Sequence, residues 1–149
     1  AYNIVRAIKE HNLPVEKVVG VSTDKACKPV NVMGMTKALQ ERIFISGNVL
    51  CKGTNFVCVR YGNVLASRGS VIPLFHDQIK AGGPLTVTDE KMTRFLLSLE
   101  DAVDTVLAAL EHGNPGETFI PNAPSANILE IAKSLTRNNK IPIKVTGIR

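Results

Sequence analysis

The sequence predicts an α/β fold with a mostly parallel sheet, on three observations. Lys17–Ser22 is a short β-branched run, the pattern of a buried strand in a parallel sheet, and Thr54–Tyr61 is a second strong strand. Segments of helical period lie between and after them, so strands alternate with helices as parallel pairing requires. The chain has 149 residues, 44% hydrophobic and 21% charged, which suits a folded domain, or a piece of a larger one, and not a disordered tail.

The remaining elements follow in order. Tyr2 to His11 carries Ile4, Val5 and Ile8 at helical spacing but has no capping side chain before it, which points to sequence upstream. The strand at 17–22 runs into a polar loop, Thr23 to Pro29. Asn31 is placed to cap a helix reaching about Ser46, with Ala38, Leu39 and Ile43 on one face. Gly62-Asn63 breaks the second strand. Ser70 is read as the cap of a helix through Ala81, with Pro73 tolerated in the first turn and Gly82-Gly83-Pro84 as the stop. Leu85–Thr88 and Arg94–Ser98 read as short strands. Ser98 and Asp101 form a capping-box-like start for a helix to His112, with Ala102, Val103, Val106, Leu107 and Leu110 as a broad apolar face. Glu117–Ile120 is a strand, Asn127 with Glu130 starts a helix through about Arg137, and Ile141–Val145 is the last strand.

Composition removes several function classes. No apolar run approaches the roughly 20 residues of a membrane helix, and no signal peptide opens the chain, so a cytoplasmic protein is expected, a membrane-anchored longer form staying open. Eighteen Lys and Arg against thirteen Asp and Glu give +5. The basic residues are scattered, and two Tyr, five Phe and no Trp supply few stacking platforms, which argues against a nucleic-acid partner. The excess reads as a bias towards an anionic small ligand, or as plain surface solubility. Cys27, Cys51 and Cys58 are odd in number and lack a CxxC pair, so neither a disulfide framework nor a metal site is expected, and a reducing compartment is the default.

In parallel sheets ligands bind beyond the carboxyl ends of the strands, so Ser22–Pro29 and Tyr61–Gly69 are the places for chemistry. Ser22-Thr23-Asp24-Lys25 groups hydroxyls, a carboxylate and an amine, a set suited to acid–base work or, more plainly, to a solvated turn with a local ion pair. Met33 and Lys37 stand four apart on one helix face, and Met33 alone reads as a core-facing methionine. In the second loop Gly62 and Gly69 allow close backbone approach, Ser70 opens a helix whose free N–H groups favour anions, and Arg68 and Arg94 offer planar forks for phosphate. Arg60 and Arg94 read equally as members of structural ion pairs. His11, His76 and His112 read as surface residues.

Taken together, Val21-Ser22-Thr23-Asp24-Lys25-Ala26, Pro29-Val30-Asn31 and Met33-Gly34-Met35-Thr36-Lys37 resemble the extended short-chain dehydrogenase/reductases of bacterial polysaccharide biosynthesis. The resemblance is to the inverting UDP-N-acetylglucosamine 4,6-dehydratases and their 4-epimerase relatives. Arg60-Tyr61-Gly62-Asn63-Val64, Ser67-Arg68-Gly69-Ser70-Val71-Ile72-Pro73, Met92-Thr93-Arg94-Phe95 and Pro115-Gly116-Glu117 continue it in the same order over nearly the whole chain. The resemblance implies a Rossmann domain interleaved with a smaller nucleotide-sugar subdomain. The family's glycine-rich dinucleotide fingerprint is absent from this sequence, so residues 1–149 are expected to be the C-terminal part of a longer enzyme, inactive alone.

That resemblance also implies roles. The reaction oxidises sugar C4, eliminates water across C5 and C6, reduces C6 and reprotonates C5 on the opposite face, with NADP, or NAD, regenerated in each turnover. Lys25 would be the C5 base, Asp24 the acid at the C6 hydroxyl, and Thr23 a hydrogen-bond partner of O4. Ser22, Lys37, Tyr61, Gly62 and Asn63 would face the cofactor, and Asn63, Arg68 and Arg94 the UDP portion. Met33 stands where a Tyr would take the O4 proton, leaving Asp24 or a water held by Thr23 for that step. A homo-oligomer formed through the Met33 helix is expected by analogy. A 4-epimerase needs no C5 base, so adjacent Asp24 and Lys25 favour the dehydratase; a non-catalytic nucleotide-sugar binder is the third reading.

Overall fold

The computed structural model describes residues 1–65, 67, 70–137 and 140–147. In chain order the elements are α1 (Tyr2–Glu10), β1 (Lys17–Thr23), α2 (Val32–Leu50), β2 (Asn55–Tyr61), α3 (Val71–Lys80), β3 (Leu85–Val87), β4 (Thr93–Phe95), α4 (Leu99–His112), β5 (Thr118–Phe119), β6 (Ser125–Asn127), α5 (Ile128–Thr136) and β7 (Ile143–Val145). They divide into two compact units, 1–62 with 99–122 and 63–98 with 123–149.

In the first unit β2 finds cover on both faces. β1 and β2 pair in parallel over their full length, from Lys17 opposite Asn55 to Thr23 opposite Tyr61, and β5 adds to β2 in parallel, giving the order β1-β2-β5. Successive side chains of a strand point to opposite faces. Phe56 and Cys58 accordingly join Val5 and Ile8 of α1 and Phe44 of α2, while Val57 and Val59 meet Ala109 of α4. Phe44 and Phe56 stack with ring centroids 6.0 Å apart.

The second unit packs α3 and α5 around Phe75, Leu85, Val87, Ile128 and Ala132. β3 pairs in parallel with β7 and β4 antiparallel with β6. Gln78 fixes α3 to β3 by a two-way amide contact with Thr86, 2.7 Å to its hydroxyl and 2.9 Å from its N–H. Asn127 caps α5 as predicted, accepting from Leu129 N–H at 2.8 Å and Glu130 N–H at 3.2 Å.

Several elements depart from the sequence reading. α2 runs to Leu50 rather than Ser46, because the Asn48 amide hydrogen-bonds both the N–H and the carbonyl of Phe56 and anchors the last turn to β2. β6 was not predicted; it is three polar or small residues whose pairing comes from β4. The loop after β1 contains a 3-10 turn, Asp24–Ala26. Leu39 faces solvent, as does Met33 at 48% exposure, so Met33 is not core-facing; the inward residues of α2 are Gly34, Glu41, Phe44 and Gly47. Among the described residues no helix is long and apolar enough to cross a membrane.

Candidate active site

The carboxyl end of β1 carries the first group of candidates. Thr23 ends the strand in extended conformation, and its hydroxyl sits at the head of the 3-10 turn, accepting from Lys25 N–H at 3.5 Å and donating to Asp24 Oδ1 at 2.8 Å. Lys25 Nζ donates to the same oxygen at 3.0 Å, with the two side chains 39% and 42% exposed. Burial pushes the Asp24 pKa up, but the hydrogen bonds from Lys25 and Thr23 and the ammonium charge outweigh it and hold the carboxyl below its ordinary 3.8. The resting turn is therefore an ion pair with a hydroxyl on the shared oxygen. It holds a proton donor and an acceptor in contact.

The start of α2 is built against this turn. Asn31 Oδ1 accepts from Gly34 N–H at 2.8 Å, satisfying one of the free donors of the first turn. A Cβ on Gly34 would lie 2.3 Å from the Lys25 carbonyl oxygen, so only glycine allows this approach. One turn on, Lys37 Nζ donates to the Val21 carbonyl at 3.1 Å and to Gln40 Oε1 at 3.2 Å, and Gln40 Nε2 donates to the same carbonyl at 2.9 Å. Lys37 thus stands fixed at the end of β1, with Met33 four residues before it.

Ser22 and Arg60 are opposite residues in the parallel register, and both meet Glu41. Arg60 Nε and Nη2 donate to the two Glu41 oxygens at 3.1 and 2.6 Å, and the Ser22 hydroxyl donates to Glu41 Oε1 at 2.5 Å. Burial pushes the Glu41 pKa up, and the bonds from Arg60 and Ser22 with the guanidinium charge hold it below its ordinary 4.5. The ion-pair reading of Arg60 is correct. The Ser22 hydroxyl is turned inwards onto Glu41 and away from the strand-end turn. Tyr61 packs beside Val57, Val59 and Ala109. Sequence reasoning missed Glu41, although it lies four residues after Lys37, the helical spacing that shares a face.

The second unit holds a cavity of about 710 Å³ lined by Asn63, Ser70, Thr86, Met92, Arg94 and Phe95 among others. Two predicted ligand residues, Asn63 and Arg94, therefore share one cavity; Arg68 lies outside the described residues. Ser70 occupies the N-cap position of α3 without making the predicted cap bond, and its buried hydroxyl has no hydrogen-bond partner among the described residues. Arg94 is exposed, its Nη1 donating to the Thr93 carbonyl at 3.0 Å. An apolar-walled cavity with an arginine, a spare hydroxyl and a helix N-terminus suits an anionic ligand with a flat apolar part. His11, His76 and His112 are exposed, and no group of three metal-ligating side chains occurs among the described residues.

The chain is similar to known proteins over its whole length. It is 51% identical over 142 residues to the UDP-glucose 4-epimerase of Rickettsia rickettsii (strain Sheila Smith), a match covering 93% of this chain and 42% of that protein. It is 54% identical over 139 residues to the UDP-glucose 4-epimerase of Rickettsia canadensis (strain McKiel), covering 91% and 41%. The chain thus spans less than half the length of these curated relatives. Among solved structures it matches Pen from Bacillus thuringiensis with a TM-score of 0.85 and 36% identity, over 98% of this chain and 47% of that one. It matches the dTDP-glucose 4,6-dehydratase of Bacillus anthracis with a TM-score of 0.80 and 18% identity over 98% and 53%, a likeness of Rossmann-type fold. The family model described as polysaccharide biosynthesis protein matches residues 1–149, and the chain belongs to that family.

Proposed function

We propose that this chain is the C-terminal part of a nucleotide-sugar enzyme that carries out NADP-dependent 4,6-dehydration of UDP-N-acetylglucosamine with inversion at C5, in the cytoplasm. The observation that carries the reading is the Thr23-Asp24-Lys25 turn. Elimination needs a base for the C5 proton and an acid for the C6 hydroxyl at once. Elimination requires Lys25 as the free amine and Asp24 carrying the proton, and the two groups stand in contact at 3.0 Å. Lys25 Nζ then takes the C5 proton as the C5–C6 double bond forms. Asp24 protonates the C6 hydroxyl, which leaves as water. The Thr23 hydroxyl positions the sugar at O4.

A nicotinamide dinucleotide supplies hydride exchange at the sugar carbons when bound, NADP being preferred here and NAD the alternative. The donor set fits its ribose: Val21 and Gln40 take two of the three Lys37 ammonium donors at the strand end, and the third suits a ribose hydroxyl. The Ser22 backbone, Gly62 and Asn63 are its further candidates. Arg94, Asn63 and the spare Ser70 hydroxyl suit UDP, with Arg68 as a further phosphate ligand. Val32, Met35, Leu39 and Leu50, all exposed on one side of α2, suit the contact of a homo-oligomer.

A second reading, C4 epimerisation of a UDP-sugar, is favoured by the names of the curated relatives. The full-length protein, UDP-N-acetylglucosamine and NADP+ in deuterated water, followed by NMR, separate the two. A 4-keto-6-deoxy sugar with deuterium at inverted C5, lost in Lys25→Ala, is the expected product. UDP-N-acetylgalactosamine without loss of water would establish the epimerase instead.

A further inference from the structure

Glu41 is an ionisable residue on the inward face of α2, 5% exposed. A carboxylate there carries a desolvation penalty that only good pairing offsets, and a buried ion pair is often no more stabilising than apolar side chains of the same volume. Fold stability alone therefore gives little reason for a charge at this position. The place of its partners gives a better one. Ser22 immediately precedes Thr23-Asp24-Lys25, and Arg60 immediately precedes Tyr61-Gly62-Asn63. One carboxylate accepts from both, using the rigid arginine fork on one side and a hydroxyl on the other. With Lys37 and Gln40 on Val21, α2 grips two consecutive residues of β1 by side chains at 37, 40 and 41.

We propose that Glu41 is a positioning residue: it clamps the carboxyl ends of β1 and β2 to α2, so that the turn bearing Thr23, Asp24 and Lys25 leaves the sheet in one fixed direction. That it thereby serves catalysis rests on the function proposed above; that it holds the turn does not. Arg60 shares the role through its fork geometry, which a lysine cannot reproduce.

The test is amide hydrogen exchange and steady-state kinetics on the full-length protein and its Ser22→Ala, Glu41→Gln and Arg60→Lys variants. Ser22→Ala cuts only the link to β1 and leaves the ion pair. It should speed exchange of the turn amides of Lys25 and Cys27 about tenfold while the core amide of Cys58 stays protected. Glu41→Gln should do the same, and both should lower kcat by about 10- to 100-fold with little change in KM for the UDP-sugar. Arg60→Lys keeps the charge and should not preserve kcat. Unchanged exchange at the turn in folded Ser22→Ala and Glu41→Gln overturns the clamp. Faster exchange with unchanged kcat would leave the clamp and remove its catalytic role. A wild-type protein that turns over no UDP-sugar would refute the proposed reaction, and the exchange data would still decide the clamp.

Discussion

Replacing Gly34 by alanine sets two ordinary expectations against each other. In a helix interior alanine is favoured over glycine by about 1 kcal/mol, and at Gly34, in the first turn of α2, the gain is at most about that size. Here the new Cβ would lie 2.3 Å from the Lys25 carbonyl oxygen, 3.2 Å from its carbon and 3.1 Å from Pro29 Cβ. Reaching even 3.0 Å requires the contact to open by roughly 0.7 Å, and the opposing atom is backbone, so the turn or the helix start has to move. Overpacking of this kind costs about 1–3 kcal/mol, which outweighs the propensity gain and predicts a net loss of about 1 kcal/mol. The functional effect should be larger than the thermal one. A misplacement near 1 Å can lower a rate about 100-fold, so kcat should fall by about 10- to 100-fold while the melting temperature drops by a few degrees. Calorimetry and a UDP-sugar turnover assay on the full-length protein read the two effects. A Gly34→Ala protein that melts higher and keeps its kcat would show that α2 does not rest on the Lys25 turn, and the site geometry argued above would be wrong.

Arg94→Ala removes an exposed guanidinium at the cavity and should leave folding intact. A hydrogen bond to a charged group contributes about 1.5–3 kcal/mol, so UDP binding by calorimetry should weaken about 10- to 100-fold; unchanged affinity would remove Arg94 from the ligand. Glu41 has its pKa lowered on folding, so its contribution is fully present above its unfolded value near 4.5 and is lost as pH falls through the lower folded value. Glu41→Gln should therefore flatten the acid limb of a melting-temperature profile, and an identical limb in the variant would contradict the pairing. Asp24 should add little to that limb, because its pair is exposed and screened. Met33→Tyr restores an ionisable hydroxyl one helical turn before Lys37 and should raise turnover if proton removal at O4 limits the rate; equal rates would rule that limitation out.

How much of this was legible depends on what each residue packs against. β2 announces itself because Phe56 to Val59 are buried on both faces and form an unbroken apolar run, and β1 because Val18, Val19 and Val21 make a short β-branched run. The caps at Asn31 and Asn127 are legible because their hydrogen bonds are local. α2 resists the same reading. Its inward face contains Gly34, Glu41 and Gly47, and its outward face shows Val32, Met35 and Leu39, so apolar periodicity points to the wrong side. The reason is what these residues touch. Gly34 is there for close approach to the Lys25 turn, and Glu41 is there for Ser22 and Arg60, residues 19 positions away on either side in sequence. Chemistry that runs consecutively, such as Thr23-Asp24-Lys25, can be read from a string of letters. A clamp assembled from one strand end, a helix face and a neighbouring strand becomes visible only when the register places Ser22 opposite Arg60.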